Sequence, residues 1–357
     1  MNEYFTEVLA LWGKENRRDL PWVGIKDPYR IWLSEIMLQQ TRVEQGLPYY
    51  QRFTEAFPTV FDLAAAPDDE VMKLWEGLGY YSRARNLLKA AKMVVAEHQG
   101  VFPESREGLR ALPGIGEYTS GAIASFAFDL PEAVVDGNVY RVLSRFFGID
   151  DPIDSTTGKK RFAELARAVL NEKESAAHNQ AIMDFGSRQC SPRNPDCEGC
   201  PLSPRCRARA AGRVEELPVK SRKQAKRDRW FYYMVLRMDE QVLVRQRTAK
   251  DIWQGLYDFP AVESDKALSE KEVFESVAFK SMMEGVDYSV TLWSPEIRQV
   301  LSHQNVRGVF LEIRCEGALG LAEAAPVGDL RWVSEQVIPN LAFPRLIRRY
   351  WEEPVLS

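Results

Sequence analysis

Cys190-Ser191-Pro192-Arg193-Asn194-Pro195-Asp196-Cys197-Glu198-Gly199-Cys200-Pro201-Leu202-Ser203-Pro204-Arg205-Cys206 gathers four of the five cysteines of this 357-residue chain into one loop. The spacing is Cys-x6-Cys-x2-Cys-x5-Cys, and only Cys315 lies elsewhere. Thiols this near one another either pair as disulfides or close on a metal centre. Disulfide frameworks spread their cysteines as staples, and this chain shows neither a signal peptide nor an apolar run of transmembrane length. Zinc is the stronger rival, because four-cysteine tetrahedral clips are common. Those clips join two short knuckles across a longer loop, whereas only Cys197 and Cys200 form a knuckle here. An iron-sulfur cluster is the third reading. Arg188, Arg193, Arg205 and Arg207 flank the thiols, so a metal that ordered the loop would present cations to a phosphate backbone.

The length suits two domains, and 45% hydrophobic with 27% charged residues is ordinary globular composition. A formal net charge of -4 excludes a uniformly basic nucleic-acid binder, so any contact with DNA must come from local patches. The cytoplasm, where thiols stay reduced, is the expected location. Helical periodicity recurs over residues 4–16, 28–57, 68–75, 82–98, 118–128, 137–148 and 159–171. A basic segment with Pro218 follows the cysteine loop, over 207–229, and reads as a linker able to lie along DNA. Beyond it the texture is β-rich: 230–237 and 240–246 flank Met238 and Asp239 as a hairpin, and 306–315 is a further strand. Domains are expected at 1–212, with the cysteine loop 190–206 inside it, and at 230–357, joined by a linker at 213–229. The fold class is multidomain, a mostly α N-terminal region followed by a small α+β domain.

Three features of the helical region carry chemistry. Leu112-Pro113-Gly114-Ile115-Gly116-Glu117-Tyr118 places two glycines in a hairpin turn immediately before a helix. Unsatisfied N-H groups and the macrodipole favour an anion such as phosphate there. Asp136 sits just before a helix starting at Gly137, the place of an N-cap, which would contribute about 1 kcal/mol without any chemistry. A carboxylate so placed stays ionised and suits a developing positive charge. Glu35 falls on the apolar stripe set by Ile31, Trp32 and Leu38, where desolvation would raise its pKa. Pairing with Arg30 or Arg42 would account for it equally well. Only three histidines occur, at 98, 178 and 303, so a histidine triad or a histidine-rich metal site is not supported.

The order of hairpin, aspartate about twenty residues on, and cysteine loop resembles the helix-hairpin-helix superfamily of DNA glycosylases that includes endonuclease III. Ser34-Glu35-Ile36-Met37-Leu38-Gln39-Gln40-Thr41-Arg42-Val43 is similar to the active-site helix of the MutY family of adenine DNA glycosylases. This resemblance implies base excision repair with a [4Fe-4S] cluster on Cys190, Cys197, Cys200 and Cys206. It implies Glu35 as the acid that protonates adenine N7, Asp136 as the stabiliser of the sugar cation, and Tyr118 and Asn138 in support. Endonuclease III-like enzymes carry a lysine where this chain has Tyr118; without that amine no Schiff base forms, and the strand stays intact. Further matches imply DNA contacts at Gln40, Thr41, Leu78, Tyr80, Gly114 and Gly116, and an adenine pocket of Arg18, Leu20, Trp22 and Gln180. The family's Leu-Pro-Trp-Arg reads Leu20-Pro21-Trp22-Val23 here, which removes one polar group from that pocket.

Trp253-Gln254-Gly255-Leu256-Tyr257-Asp258-Phe259-Pro260 resembles Nudix-like domains attached to MutY enzymes. The acidic Nudix helix does not follow it, so the resemblance implies recognition rather than pyrophosphate hydrolysis. Leu301-Ser302-His303 is similar to the Phe-Ser-His loop with which the family reads 8-oxoguanine. The expected partner is therefore double-stranded DNA holding adenine opposite 8-oxoguanine or guanine, met by a monomer outside any membrane, with a sliding clamp as a candidate protein partner. The rival readings are a bifunctional glycosylase/lyase and a non-catalytic DNA-binding iron-sulfur redox sensor.

Overall fold

The computed structural model describes residues 2–221, 226–316 and 330–353. Two compact units divide the chain: one takes the described residues of Met1–Ala65 and Asn86–Lys223, the other those of Ala66–Arg85 and Gln224–Ser357. Residues 222–225, in the expected linker at 213–229, lie outside the described residues.

The first unit is helical. Helix Asn2–Asn16 lies against helix Ser175–Arg188, which in turn meets helix Gly137–Phe147. The last of these buries Val139, Val142, Leu143 and Phe146 at helical spacing. Their core includes Phe5, Leu9, Phe162 and Phe185, and Cys190, Cys200 and Cys206 pack against it. Phe146 meets the rings of Phe5 and Phe147 at 5.0 and 4.9 Å, spacings at which aromatic edges and faces attract.

One sequence expectation is corrected here. The periodic stretch 28–57 is two helices, Pro28–Leu38 and Val43–Ala56, separated at Gln39–Arg42. Neither proline nor glycine marks the break; Gln40 turns the chain by adopting a left-handed φ of 57°. Helices Val60–Ala65, Arg106–Ala111 and Ser175–Arg188 lie outside the periodic stretches of the sequence.

The second unit is built on a sheet of eight strands among the described residues: β1 (Arg227–Met238), β2 (Gln241–Gln246), β3 (Tyr257–Asp258), β4 (Ala261–Ser264), β5 (Asp287–Trp293), β6 (Ile297–Val300), β7 (Gln304–Glu316) and β8 (Leu330–Ser334). The expected hairpin is present: β1 and β2 are antiparallel, with Met238 opposite Gln241 and Asp239 at a φ of 53°. β1 runs parallel to β7 from Arg227 and Gln304 to Arg237 and Arg314, and every other pairing is antiparallel. Central β1 reads Phe231-Tyr232-Tyr233-Met234-Val235-Leu236, buried on both faces. Phe146→Ala should cost about 3–5 kcal/mol in the helical unit, the usual cost of emptying a phenylalanine site, read as an earlier urea midpoint by tryptophan fluorescence.

Candidate active site

Helix Pro28–Leu38 starts where Asp27 Oδ1 accepts from the Tyr29 and Arg30 amides at 2.9 and 3.4 Å, with proline at the first helical position. Every residue from Ile31 to Met37 is buried except Glu35, which is half-buried on the same helix. Arg30 pairs with Asp27 rather than with Glu35. The partner of Glu35 is Tyr118, whose hydroxyl donates to its carboxylate. Burial pushes the Glu35 carboxyl up to about 7; the Tyr118 bond opposes the shift and the charge of Asp136 adds to it.

Tyr118 is carried by helix Glu117–Phe128, entered through the glycine hairpin. Gly114 has a φ of 78°, and a Cβ there would stand 2.8 Å from Asn86 Cβ, so glycine is required on two counts. Gly116 is the N-cap and makes no side-chain cap, which leaves the first amides of the helix to another acceptor. Gln39 Nε2 donates to Thr119 Oγ1 at 3.1 Å and ties the two helices together.

Asp136 caps helix Gly137–Phe147. Its Oδ1 accepts from the amides of Asn138 and Val139 at 2.9 and 2.8 Å, and its Oδ2 accepts from Asn138 Nδ2 at 2.8 Å. Burial raises its carboxyl above the ordinary value, against these bonds and the Arg141 charge. The expectation of a carboxylate kept ionised by its helix start is thus half the account: the donors favour the anion, and desolvation opposes them.

Glu35, Tyr118, Asp136 and Asn138 line one cavity of about 1240 Å³, larger than a base requires. Gln40, Thr41, Gly114, Gly116, Arg18, Trp22, Val23 and Gln180 line it as well; Leu20 is half-buried and does not. Two functional residues escaped the sequence reading. Asp184, buried, pairs with Arg18 Nε at 2.5 Å and accepts from Gln180 Nε2 at 3.0 Å, fixing the polar wall. Arg141 donates to Asn138 Oδ1 at 2.8 Å and to Cys190 O at 2.7 Å. Its position among the apolar residues of its helix was the available signal, of the same kind that picked out Glu35.

Leu78, Tyr80, Ser302 and His303 belong to the other unit. Leu78 is buried, whereas Tyr80, Ser302 and His303 are exposed, and the Tyr80 hydroxyl is hydrogen-bonded to Ser302 Oγ. The four cysteines of the loop are half-buried. Cys200 is pushed up to about 11, first by burial and then by its proximity to Cys190, Cys206 and Cys197. Among the described residues no three side chains of ligand type converge in a metal-binding arrangement.

Comparison with known proteins bears on this geometry. An adenine DNA glycosylase of Buchnera aphidicola (subsp. Acyrthosiphon pisum) is 33% identical over 279 residues, 76% of this chain and 80% of that protein. The chain belongs to the adenine DNA glycosylase family. It is a hydrolase of N-glycosidic bonds. The human adenine DNA glycosylase is 41% identical over 222 residues, 60% of this chain and 41% of the human one. Residues 33–168 match the HhH-GPD superfamily of base excision DNA repair proteins, and 232–353 match the NUDIX domain. A thermostable thymine-DNA glycosylase shares the fold at TM-score 0.55 and 30% identity over 59% of this chain and 97% of that one. An endonuclease III trapped covalently on DNA shares the fold at TM-score 0.52 and 23% identity, over 59% of this chain and 98% of that one. No described helix of this glycosylase is long and apolar enough to cross a membrane.

A raised carboxyl destabilises the fold once the unfolded chain ionises it. Wild type should therefore lose stability as pH rises from about 4.5 to about 7 on account of Glu35. Glu35→Gln escapes that loss. It should unfold at the same temperature as wild type below pH 4.5 and be more stable by on the order of 3 kcal/mol above pH 7, measured by calorimetry across that range.

Proposed function

We propose that this glycosylase releases adenine from opposite 8-oxoguanine or guanine and leaves an abasic site in an uncut strand. The observation that carries the chemistry is the meeting, in one cavity, of two carboxyls in unlike settings. Glu35, with its carboxyl near 7, holds a proton available at neutral pH and passes it to N7 of an extruded adenine. The C1'-N9 bond then breaks, adenine leaves with the bonding electrons, and the positive charge left on the sugar lies against Asp136. The three N-H donors on Asp136 hold its carboxylate in place for that charge. Water adds at C1' and its proton returns to a carboxylate, completing hydrolysis. Tyr118 holds Glu35 and cannot form an imine, which supports a monofunctional reaction. Asn138 aligns Asp136.

The remaining roles follow from exposure and chemistry. Gln40, at the left-handed turn, and Tyr80 are exposed side chains suited to entering the base stack, and Thr41 and Leu78 are assigned to the partner guanine. The uncapped helix at Gly116 takes a phosphate. Arg18, Trp22 and Gln180 receive the base. Ser302 and His303 lie on an exposed loop whose hydroxyl can both donate and accept, as distinguishing 8-oxoguanine from guanine requires. The four thiols fit a [4Fe-4S] cluster by donor type and by their close spacing along the chain; such a cluster would order the loop and its arginines for DNA. A reducing cytoplasm suits that loop. We propose a monomer on double-stranded DNA.

An A:8-oxoguanine duplex incubated with the enzyme should break only after hot alkali, and borohydride should trap no adduct. A trapped adduct would overturn the monofunctional reading. Glu35→Gln should slow single-turnover adenine release by about 10²–10⁴-fold while duplex binding is retained, and the wild-type rate should fall as pH rises through about 7, where Glu35 loses its proton. Cys200→Ser should abolish iron content and visible absorbance and weaken DNA binding, measured by iron analysis and a gel-shift titration.

A further inference from the structure

The segment Ala66–Arg85 lies within the helix-hairpin-helix match at 33–168, yet it clusters with the sheet unit. Its attachment is made of specific polar bonds. Asp69 accepts from Tyr257 Oη at 2.9 Å and from Gln246 Nε2 at 3.2 Å. Glu76 is more heavily used. Its Oε1 accepts from the Phe343 amide at 2.8 Å and from Arg348 Nε at 2.6 Å, and its Oε2 accepts from Lys73 Nζ at 2.5 Å. Arg348 is buried and donates further to the carbonyls of Ile338 and Pro339 at 3.3 and 3.2 Å, so it is also held by bonds that do not involve Glu76.

Glu76 directly precedes Gly77-Leu78-Gly79-Tyr80-Tyr81. Gly77 and Gly79 have φ values of 91° and 80°, and Tyr80 one of 49°. The turn closes on its neighbours: Trp75 Nε1 donates to Gly79 O at 3.0 Å, and the Gly77 amide donates to Tyr81 Oη at 3.1 Å. Tyr80 is left 42% exposed and bonded to Ser302. The exposed ring and the lesion-reading hydroxyl therefore share one body, and an ion pair at the root of the turn fixes it there.

We propose that Glu76 is a positioning residue for mispair discrimination. By fastening the 77–81 turn to Arg348 and the Phe343 amide, it makes insertion of Tyr80 and reading of the opposite base by Ser302 a single coupled event. This rests on the proposed reading of Ser302 and Tyr80. A half-buried carboxylate that loses its cation partners, or a cation that loses its carboxylate, frees the two parts to move apart.

The test uses the full-length enzyme with A:8-oxoguanine and A:G duplexes carrying 2-aminopurine beside the mispair. Glu76→Ala should lower the preference for A:8-oxoguanine over A:G by roughly tenfold, within the range of measured site couplings, and weaken the 2-aminopurine unstacking signal. Glu76→Gln keeps an oxygen for the Phe343 amide and should recover part of both. Tyr80→Ala should produce the same loss, and the double variant should be no worse than Tyr80→Ala alone. A merely structural role would slow both mispairs equally and combine additively with Tyr80→Ala; either result overturns the proposal. If Glu76→Ala does not fold, an unchanged preference in Glu76→Gln overturns it. Wild type without any mispair preference, or a silent Tyr80→Ala, would instead refute the reading of Ser302 and Tyr80 on which it rests, and the proposal with it.

Discussion

The cost of desolvating one carboxyl organises the helical unit. Glu35 stands on a helix whose neighbouring positions from Ile31 to Met37 are all buried, and among the described residues no arginine acts on its charge. In such a setting a carboxyl keeps its proton to higher pH, because the charged form loses its hydration without a counter-ion in return. The Tyr118 hydroxyl limits the rise, and Asp136 extends it. An ordinary surface glutamate would be ionised at neutral pH; this one keeps a share of its proton there.

Two helix starts at the same cavity are finished differently. The helix at Gly137 is capped by its own Asp136, which consumes two amides and places a carboxyl in the cavity wall. The helix at Gly116 has no capping side chain, so its amides remain for an outside acceptor. One terminus is closed by its own side chain and the other is left without one. Both exploit the same unsatisfied N-H groups, and the difference is a single side chain.

In the sheet unit, the Nudix-like stretch has been turned to structural use. Asp258 is fully buried, and both its oxygens accept from Arg245, at 2.9 and 2.8 Å, while Arg247 adds a contact of 2.6 Å. That carboxylate holds β2 against β3. Tyr80, Ser302 and His303 of the same unit are exposed.

Local patterns along the chain determined much of this by themselves: the cysteine loop, the glycine hairpin, the Asp136 cap, the apolar stripe around Glu35 and the β1-β2 hairpin. Each is written in residues a few positions apart, where spacing and backbone preference suffice. Only the tertiary structure decided the rest. The break at Gln40 has no breaker residue and depends on what the two helices pack against. The attachments of Arg141 to Asn138 and of Asp184 to Arg18 join residues whose partners the spacing along the chain does not name, and the parallel register of β1 on β7 pairs residues as far apart as Arg227 and Gln304. Segment 66–85 sided with the sheet because its partners, Tyr257, Phe343 and Arg348, arrive from far along the chain. Burial and charge proximity are properties of the folded neighbourhood, so the chain could nominate Glu35 and Asp136, while their meeting in one cavity had to be made by packing.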